Sequence, residues 1–341
     1  MKNQSARAND DDGGEFDEPV IDIGPPTGGR PRRVRRWAAL AVVLLALFAL
    51  SRAGSVYMET LWFGSLGYSS VYWTAFKYGW AVFAAFALAT ALLLRGAFSL
   101  LERGFAVTTL APRRVLVNNE QVYIRPARVL KPAAWVVSIF LGLIYGAGMG
   151  ESWQTFALWL NRPQSSGAAE PVFGKTLGFY LFTLPALDAV TSWLLTLAWV
   201  VLLGAFVSSA LGLLPSGTTL RAAGSRAAAA ESGARAKAYA AISYALALLL
   251  AAMALRAYLS RYEYLFEDHP IFSGVTYTED HWVLPGLVVV AVALALGAAL
   301  ALANAFALRR LRPLVAAVAI PALAYLVAVV AIPGYVQSFV V

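Results

Sequence analysis

The sequence predicts an all-α fold: a polytopic membrane protein, a bundle of about seven transmembrane helices with the N-terminus inside and the C-terminus outside. Three observations predict it. First, of 341 residues 60% are hydrophobic and only 13% are charged, whereas a soluble domain is roughly 45–50% apolar and about 25% charged. Second, apolar stretches at 37–57, 71–94, 132–149, 185–213, 239–259, 283–308 and 313–332 each reach the roughly 17–25 residues that a helix needs to span hydrocarbon. Third, Lys and Arg gather in alternate connections, as the positive-inside rule requires of cytoplasmic loops.

Residues 1–36 precede the first stretch. They carry Asp10, Asp11, Asp12, Glu15, Asp17, Glu18 and Asp22, then Arg30, Arg32, Arg33, Arg35 and Arg36. Few apolar residues accompany them, so they read as a disordered acidic and basic cytoplasmic tail ending in a basic clamp. The segment is too long and acidic for a secretory signal peptide. Residues 37–341 read as the membrane domain. Its inner loops are 95–131, 214–238 and 309–312, with basic residues such as Arg113, Arg114, Arg125, Arg235, Lys237, Arg309 and Arg312. The net charge of +8 therefore sets orientation and implies anionic lipids as partners on the cytoplasmic face, not nucleic acid.

The outer loops, 58–70, 150–184 and 260–282, are aromatic. Trp62, Tyr68, Trp153, Phe173, Tyr180, Tyr262 and Tyr277 read as an interfacial belt, each ring apolar in body and, for Tyr and Trp, polar at the tip. Two of these loops echo each other. Glu170-Pro171-Val172-Phe173-Gly174 precedes Leu184-Pro185, and His269-Pro270-Ile271-Phe272-Ser273 precedes Leu284-Pro285. The echo suggests repeated hairpins in one orientation. In the inner loop 95–131, Val115-Leu116-Val117, Asn118-Asn119 and Val122-Tyr123-Ile124 read as a small hairpin with an Asn-rich turn.

Several of these segments carry a family resemblance. Leu61-Trp62-Phe63-Gly64-Ser65-Leu66-Gly67-Tyr68, Glu170-Pro171-Val172-Phe173-Gly174-Lys175, Gly178-Phe179-Tyr180-Leu181-Phe182, Tyr277-Thr278-Glu279 with His281, and Pro333-Gly334-Tyr335-Val336-Gln337 resemble the UPF0182 family of uncharacterised bacterial multi-pass membrane proteins. The resemblance covers about residues 36–341. It implies seven spans in the bacterial cell membrane, followed in the family by a large extracytoplasmic domain, so the chain reads as a fragment or a form lacking that domain. Glu170 and Glu279 stand where the family usually has Asp, and the family supplies no catalytic residues.

The residues themselves offer few sites for chemistry. Both histidines lie in the third outer loop, in Glu267-Asp268-His269 and Glu279-Asp280-His281. Carboxylates and imidazoles are ligands for Zn²⁺ or a similar ion, so these six are metal candidates, set against a plain solvated acidic loop. Lys77 and Asp188 are the intramembrane charges, with snorkelling or a mutual pair as their readings. Gly142, Gly146 and Gly150, four apart, form a small-residue stripe for close helix packing, inside the bundle or across a homo-oligomer seam. There is no cysteine, no Walker loop, no dinucleotide fingerprint and no HExxH, so neither catalytic residues nor a cofactor are expected. The expected role is non-enzymatic: a membrane anchor or scaffold for an extracytoplasmic module or envelope partner. A transporter or lipid-handling protein is the alternative.

Overall fold

The computed structural model describes residues 32–104, 113–117, 120–124, 126–163, 167–213, 225–267 and 274–339. They fall into two compact units, one ending at Tyr72 and one beginning at Trp73. In the first unit α1 (Arg32–Ser65) is a single helix of 34 residues. The chain then turns at Gly67, whose φ of +78° suits a residue without a Cβ. The Tyr68 N–H donates to the Phe63 carbonyl at 2.9 Å, and the Phe63 and Tyr72 rings stand 5.5 Å apart.

The second unit continues α2 (Ser69–Gly104) and adds a two-stranded hairpin, β1 (Arg113–Val117) and β2 (Glu120–Ile124), antiparallel with Val115 opposite Val122. The hairpin is where the two short apolar runs predict it; its Asn-Asn turn lies outside the described residues. Then follow α3 (Pro126–Glu151), α4 (Trp153–Leu160), α5 (Leu184–Leu213), α6 (Ser225–Ser260), α7 (Leu284–Ala303), α8 (Leu311–Tyr325) and α9 (Ile332–Phe339). Among the described residues six helical stretches are long and apolar enough to cross a membrane: 69–102, 131–151, 179–210, 235–260, 279–308 and 311–339. α1 covers the first expected span and is not one of these six. Helices also run beyond the apolar stretches: α2 reaches Gly104 and α6 starts at Ser225, because Ala, Arg and Glu are strong helix formers whether or not they face lipid.

Successive helices pack in pairs. The core between α2, α5 and α6 holds Leu94, Trp193, Leu197, Ala198, Val201, Ala241 and Ala245. Its alanines let helix backbones approach closely. The Trp193 indole N–H donates to the Thr90 hydroxyl at 2.9 Å, so neither buried polar group is left unmet. A second core joins Leu250, Val290, Leu294, Ala301 and Ala317 across α6, α7 and α8. The glycine stripe of α3 lies on α2 of the same chain. A Cβ at Gly142 would meet the Ala87 carbonyl at 2.8 Å, and one at Gly146 the Ala87 Cβ at 2.7 Å. A Cβ at Gly150 would meet the Phe83 Cβ at 3.2 Å. Within the chain α2 therefore occupies that face, where the sequence left a homo-oligomer seam open.

Three helices are entered or continued through a widened π turn, at Phe179–Thr183, Glu279–Val283 and Leu326–Ala331. Each ends at a residue whose N–H reaches back five positions: Leu184 to the Phe179 carbonyl, Leu284 to Glu279 and Ile332 to Val327. In all three the next residue is proline: Pro185, Pro285 and Pro333. Proline has no N–H to give and its ring crowds the carbonyl four residues back. A π turn is the rarer local solution that widens the helix there.

The turn between α7 and α8 is held by Asn304, which is fully buried. Its amide donates to the Ser243 hydroxyl at 2.7 Å and to the Arg310 carbonyl at 3.0 Å, while its Oδ1 accepts from the Arg310 N–H at 3.0 Å. Arg309 between them adopts φ +49°. One polar side chain thus satisfies both strands of the turn and ties them to α6.

Candidate functional site: an apolar cleft with a charged rim

The loop before α5 is a closed corner. The Gly174 N–H donates to the Glu170 carbonyl at 2.9 Å, with Gly174 at φ +65°. The Glu170 carboxylate accepts from the backbone N–H of Val172 at 2.6 Å and Phe173 at 2.9 Å, and from the Tyr180 hydroxyl at 3.1 Å. Tyr180 and Tyr262 are buried against Leu184 and Leu259. Phe173 and Phe179 pack edge-on to Tyr262 with ring centres 4.8 and 5.1 Å away. Arg261 closes the group: its guanidinium lies 4.2 Å from the Tyr258 ring centre and donates to the hydroxyls of Tyr258 at 2.9 Å and Tyr262 at 2.8 Å. Burial pushes the Tyr262 phenol up, but the hydrogen bonds of Arg261 and Tyr258 and the charges of Arg261 and Lys175 outweigh it and leave it lowered. Tyr180 and Tyr262 join the 170–184 loop to the end of α6, while Tyr258, Phe266, Tyr277 and Trp282 stay exposed.

Beside this corner lies a cleft of about 1140 Å³, bounded by α5, α6, α7 and α8. α5 and α8 stand on its two sides, and α6 and α7 form its floor. Its walls are apolar, with Leu195, Leu250, Leu287, Leu294 and Val318. Its charged lining residues are confined to the end where α6 finishes: Arg256, Glu263 and Glu267, with Ser260 and Tyr264. Arg256 is ion-paired to Asp188, and its Nη2 lies 3.4 Å from Glu263 Oε1. α5 and α6 run antiparallel, which sets the first turn of one beside the last turn of the other. A carboxylate at a helix start and a guanidinium at a helix end each suit the helix dipole. Burial first, then the neighbouring Glu267, Tyr325 and Glu279, push the Tyr264 phenol up.

The sequence-predicted sites distribute as follows. Asp188 pairs with Arg256, and Lys77 is exposed on α2. Glu279 forms a capping box with Thr276: its carboxylate accepts the Thr276 N–H at 2.7 Å, and its N–H donates to the Thr276 hydroxyl at 3.3 Å. His281 stacks on Tyr277 at 4.2 Å, with Nδ1 3.2 Å from the Tyr277 carbonyl and 3.4 Å from Asp280 Oδ2. Among the described residues no three His, Asp or Glu side chains gather as a metal site; Asp268 and His269 lie outside them. Sequence reasoning missed Asn304 and the Thr276–Glu279 cap. Both left a signal: a lone Asn in an Ala/Leu run, and a Thr-x-x-Glu before a helix.

Comparison with known proteins gives a match to a family described as "Uncharacterised protein family (UPF0182)" over residues 36–341. A UPF0182 protein of Nocardioides sp. is 31% identical over 79% of this chain and 26% of its own length. UPF0182 proteins of Corynebacterium efficiens and Cupriavidus necator are each 31% identical, over 76% and 75% of this chain. The chain spans about a quarter of the length of these curated relatives. No solved structure matches.

Proposed function

The chain belongs to the UPF0182 family, and on that premise we propose that it is the multi-pass membrane region of a bacterial cell-membrane protein, an anchor that positions an extracytoplasmic module or envelope partner. The observation that carries the membrane reading is the set of six helical stretches long and apolar enough to span. Their large exposed side chains, such as Leu92, Leu203, Leu296 and Leu323, each more than 60% exposed, suit lipid contact and are unfavourable in water. α1 supplies a seventh span. The basic connections 95–131, 214–238 and 309–312 support an inside N-terminus. The relatives' remaining length supports a larger partner module for the membrane region to carry.

Lipid handling is the second reading, and the cleft favours it over polar transport. Its walls are apolar and its charges sit at one end, whereas carriers of ions or polar solutes keep ionisable groups along the pathway.

The test uses the absence of native cysteine. The chain is expected to stay in the membrane pellet after alkaline carbonate extraction. In intact cells Arg162→Cys should react with an impermeant maleimide and Arg312→Cys only after permeabilisation. Release by carbonate would overturn the membrane reading, and reversed labelling would overturn the orientation.

A further inference from the structure

We propose that the cleft bounded by α5, α6, α7 and α8 holds the acyl chains of a phospholipid whose headgroup carries a primary ammonium, with the ammonium at Glu263 and Glu267 and the phosphate at Arg256. The proposal rests on the membrane and lipid-handling readings above and names the lipid class and the site. Three observations lead to it.

The volume comes first. At about 1140 Å³ the cleft exceeds the roughly 300–1,000 Å³ usual for small-molecule sites, so it accommodates a long apolar occupant. The second is the separation of chemistry along it. Leu250, Leu294 and Val318 form a wall without charge, and the charged lining residues cluster at one end. That is the polarity of one lipid molecule, tail and headgroup.

The third is the sign of the rim. Two lining carboxylates, Glu263 and Glu267, face one lining guanidinium, and that guanidinium already meets Asp188. The end therefore carries surplus negative charge. A plain anionic headgroup would meet like charge there. A primary ammonium instead brings three donors to two carboxylates, while the five N–H donors of Arg256 leave capacity for a phosphate oxygen. A quaternary ammonium carries the charge without N–H donors. In the proposed orientation the rim lies at the outer face, so the lipid is drawn from the outer leaflet.

The test is native mass spectrometry of the full chain released from nanodiscs containing equal phosphatidylethanolamine, phosphatidylglycerol and phosphatidylcholine. Retained phosphatidylethanolamine should exceed each of the others by about threefold, the scale of one partly exposed charge pair. The Glu263→Gln/Glu267→Gln double variant should bring the three lipids toward parity. Val318→Trp, at a 46% exposed wall position, should cut retention of every class by filling the cleft, and Met253→Trp, at another exposed lining position, serves as a second filling variant. Preferential retention of phosphatidylglycerol, or retention unchanged in both Trp variants, would overturn the proposal. So would a lipid-free dimer, which would mean that a second copy covers the cleft. Entry into nanodiscs without retained lipid overturns this proposal alone; failure to enter them overturns the membrane reading as well.

Discussion

The entrances to α5 and α7 are built alike and finished differently. Each has a glycine at positive φ, Gly174 or Gly274, then a π turn, then Leu-Pro. At the first, the acidic side chain turns inward: Glu170 holds two backbone N–H groups and the Tyr180 hydroxyl, and aromatic rings close over the corner. At the second, Glu279 caps its own turn, and Tyr277 and His281 remain exposed. The same backbone device thus serves a sealed corner at α5 and an open end at α7. The cleft rim, with Glu263, Tyr264 and Glu267, lies beside the sealed corner. The corner fixes the end of α6, and with it the position of Arg256 four residues before Ser260.

That contrast breaks most readily at the aromatics. Tyr262→Ala should lower stability by about 3 kcal/mol, as for other large aromatic deletions in cores. Tyr277→Ala, at a 59% exposed ring, should change it by no more than about 0.5 kcal/mol. Thermal melting of both variants in one detergent checks this, and equal losses would mean that the two ends are packed alike. A smaller difference is expected at the carboxylates. Glu170→Ala leaves three donors without their acceptor and should cost about 2 kcal/mol. Glu279→Ala removes a cap and should cost about 1 kcal/mol. The same melting series would reverse the assignment of sealed and open ends if the order inverted.

The smallest effect is titration. Tyr264 has a raised folded-state pKa, so its contribution is fully present below its ordinary value of 10.0 and is lost as pH rises through the folded value. Tyr262 has a lowered one, so its contribution grows as pH climbs through that value toward its ordinary 10.0. Tyr264→Phe should therefore flatten the alkaline loss of stability, and Tyr262→Phe should steepen it. Melting curves recorded from about pH 8 to 11 that move in the same direction for both would contradict the two environments.

Much of the helical layout is legible in residue order because the long apolar runs are rich in Ala and Leu, strong helix formers. The hairpin strands at 113–117 and 120–124 are legible from two short β-branched and aromatic runs flanking an Asn-Asn pair. Partner choice is less so. Asp188 and Arg256 each announce themselves as charges at helix ends, yet hydropathy does not say which ends are neighbours, so Lys77 looks equally eligible. Ring burial is hidden for the same reason. Tyr262 and Tyr277 sit in one loop with similar neighbours in sequence, and only the packing of 170–184 against α6 separates them. The cleft leaves no local signature at all, since its walls are the same leucines and valines that stand exposed elsewhere. Leu184-Pro185, Leu284-Pro285 and Ile332-Pro333 are the opposite case: each follows a π turn, yet the dipeptide alone does not announce it, since Ile320-Pro321 lies inside α8 without one.

Those pairs also set a phase. A π turn is an α-helix with one residue inserted, and one residue is about 100° of rotation. The aromatic entrance and the apolar body of α5 therefore occupy faces that a straight helix would not align. Deleting a single residue within 179–183 would restore a regular turn but swing Tyr180 away from Tyr262, or else swing Trp193 away from Thr90. The inserted residue lets one continuous helix keep both appointments.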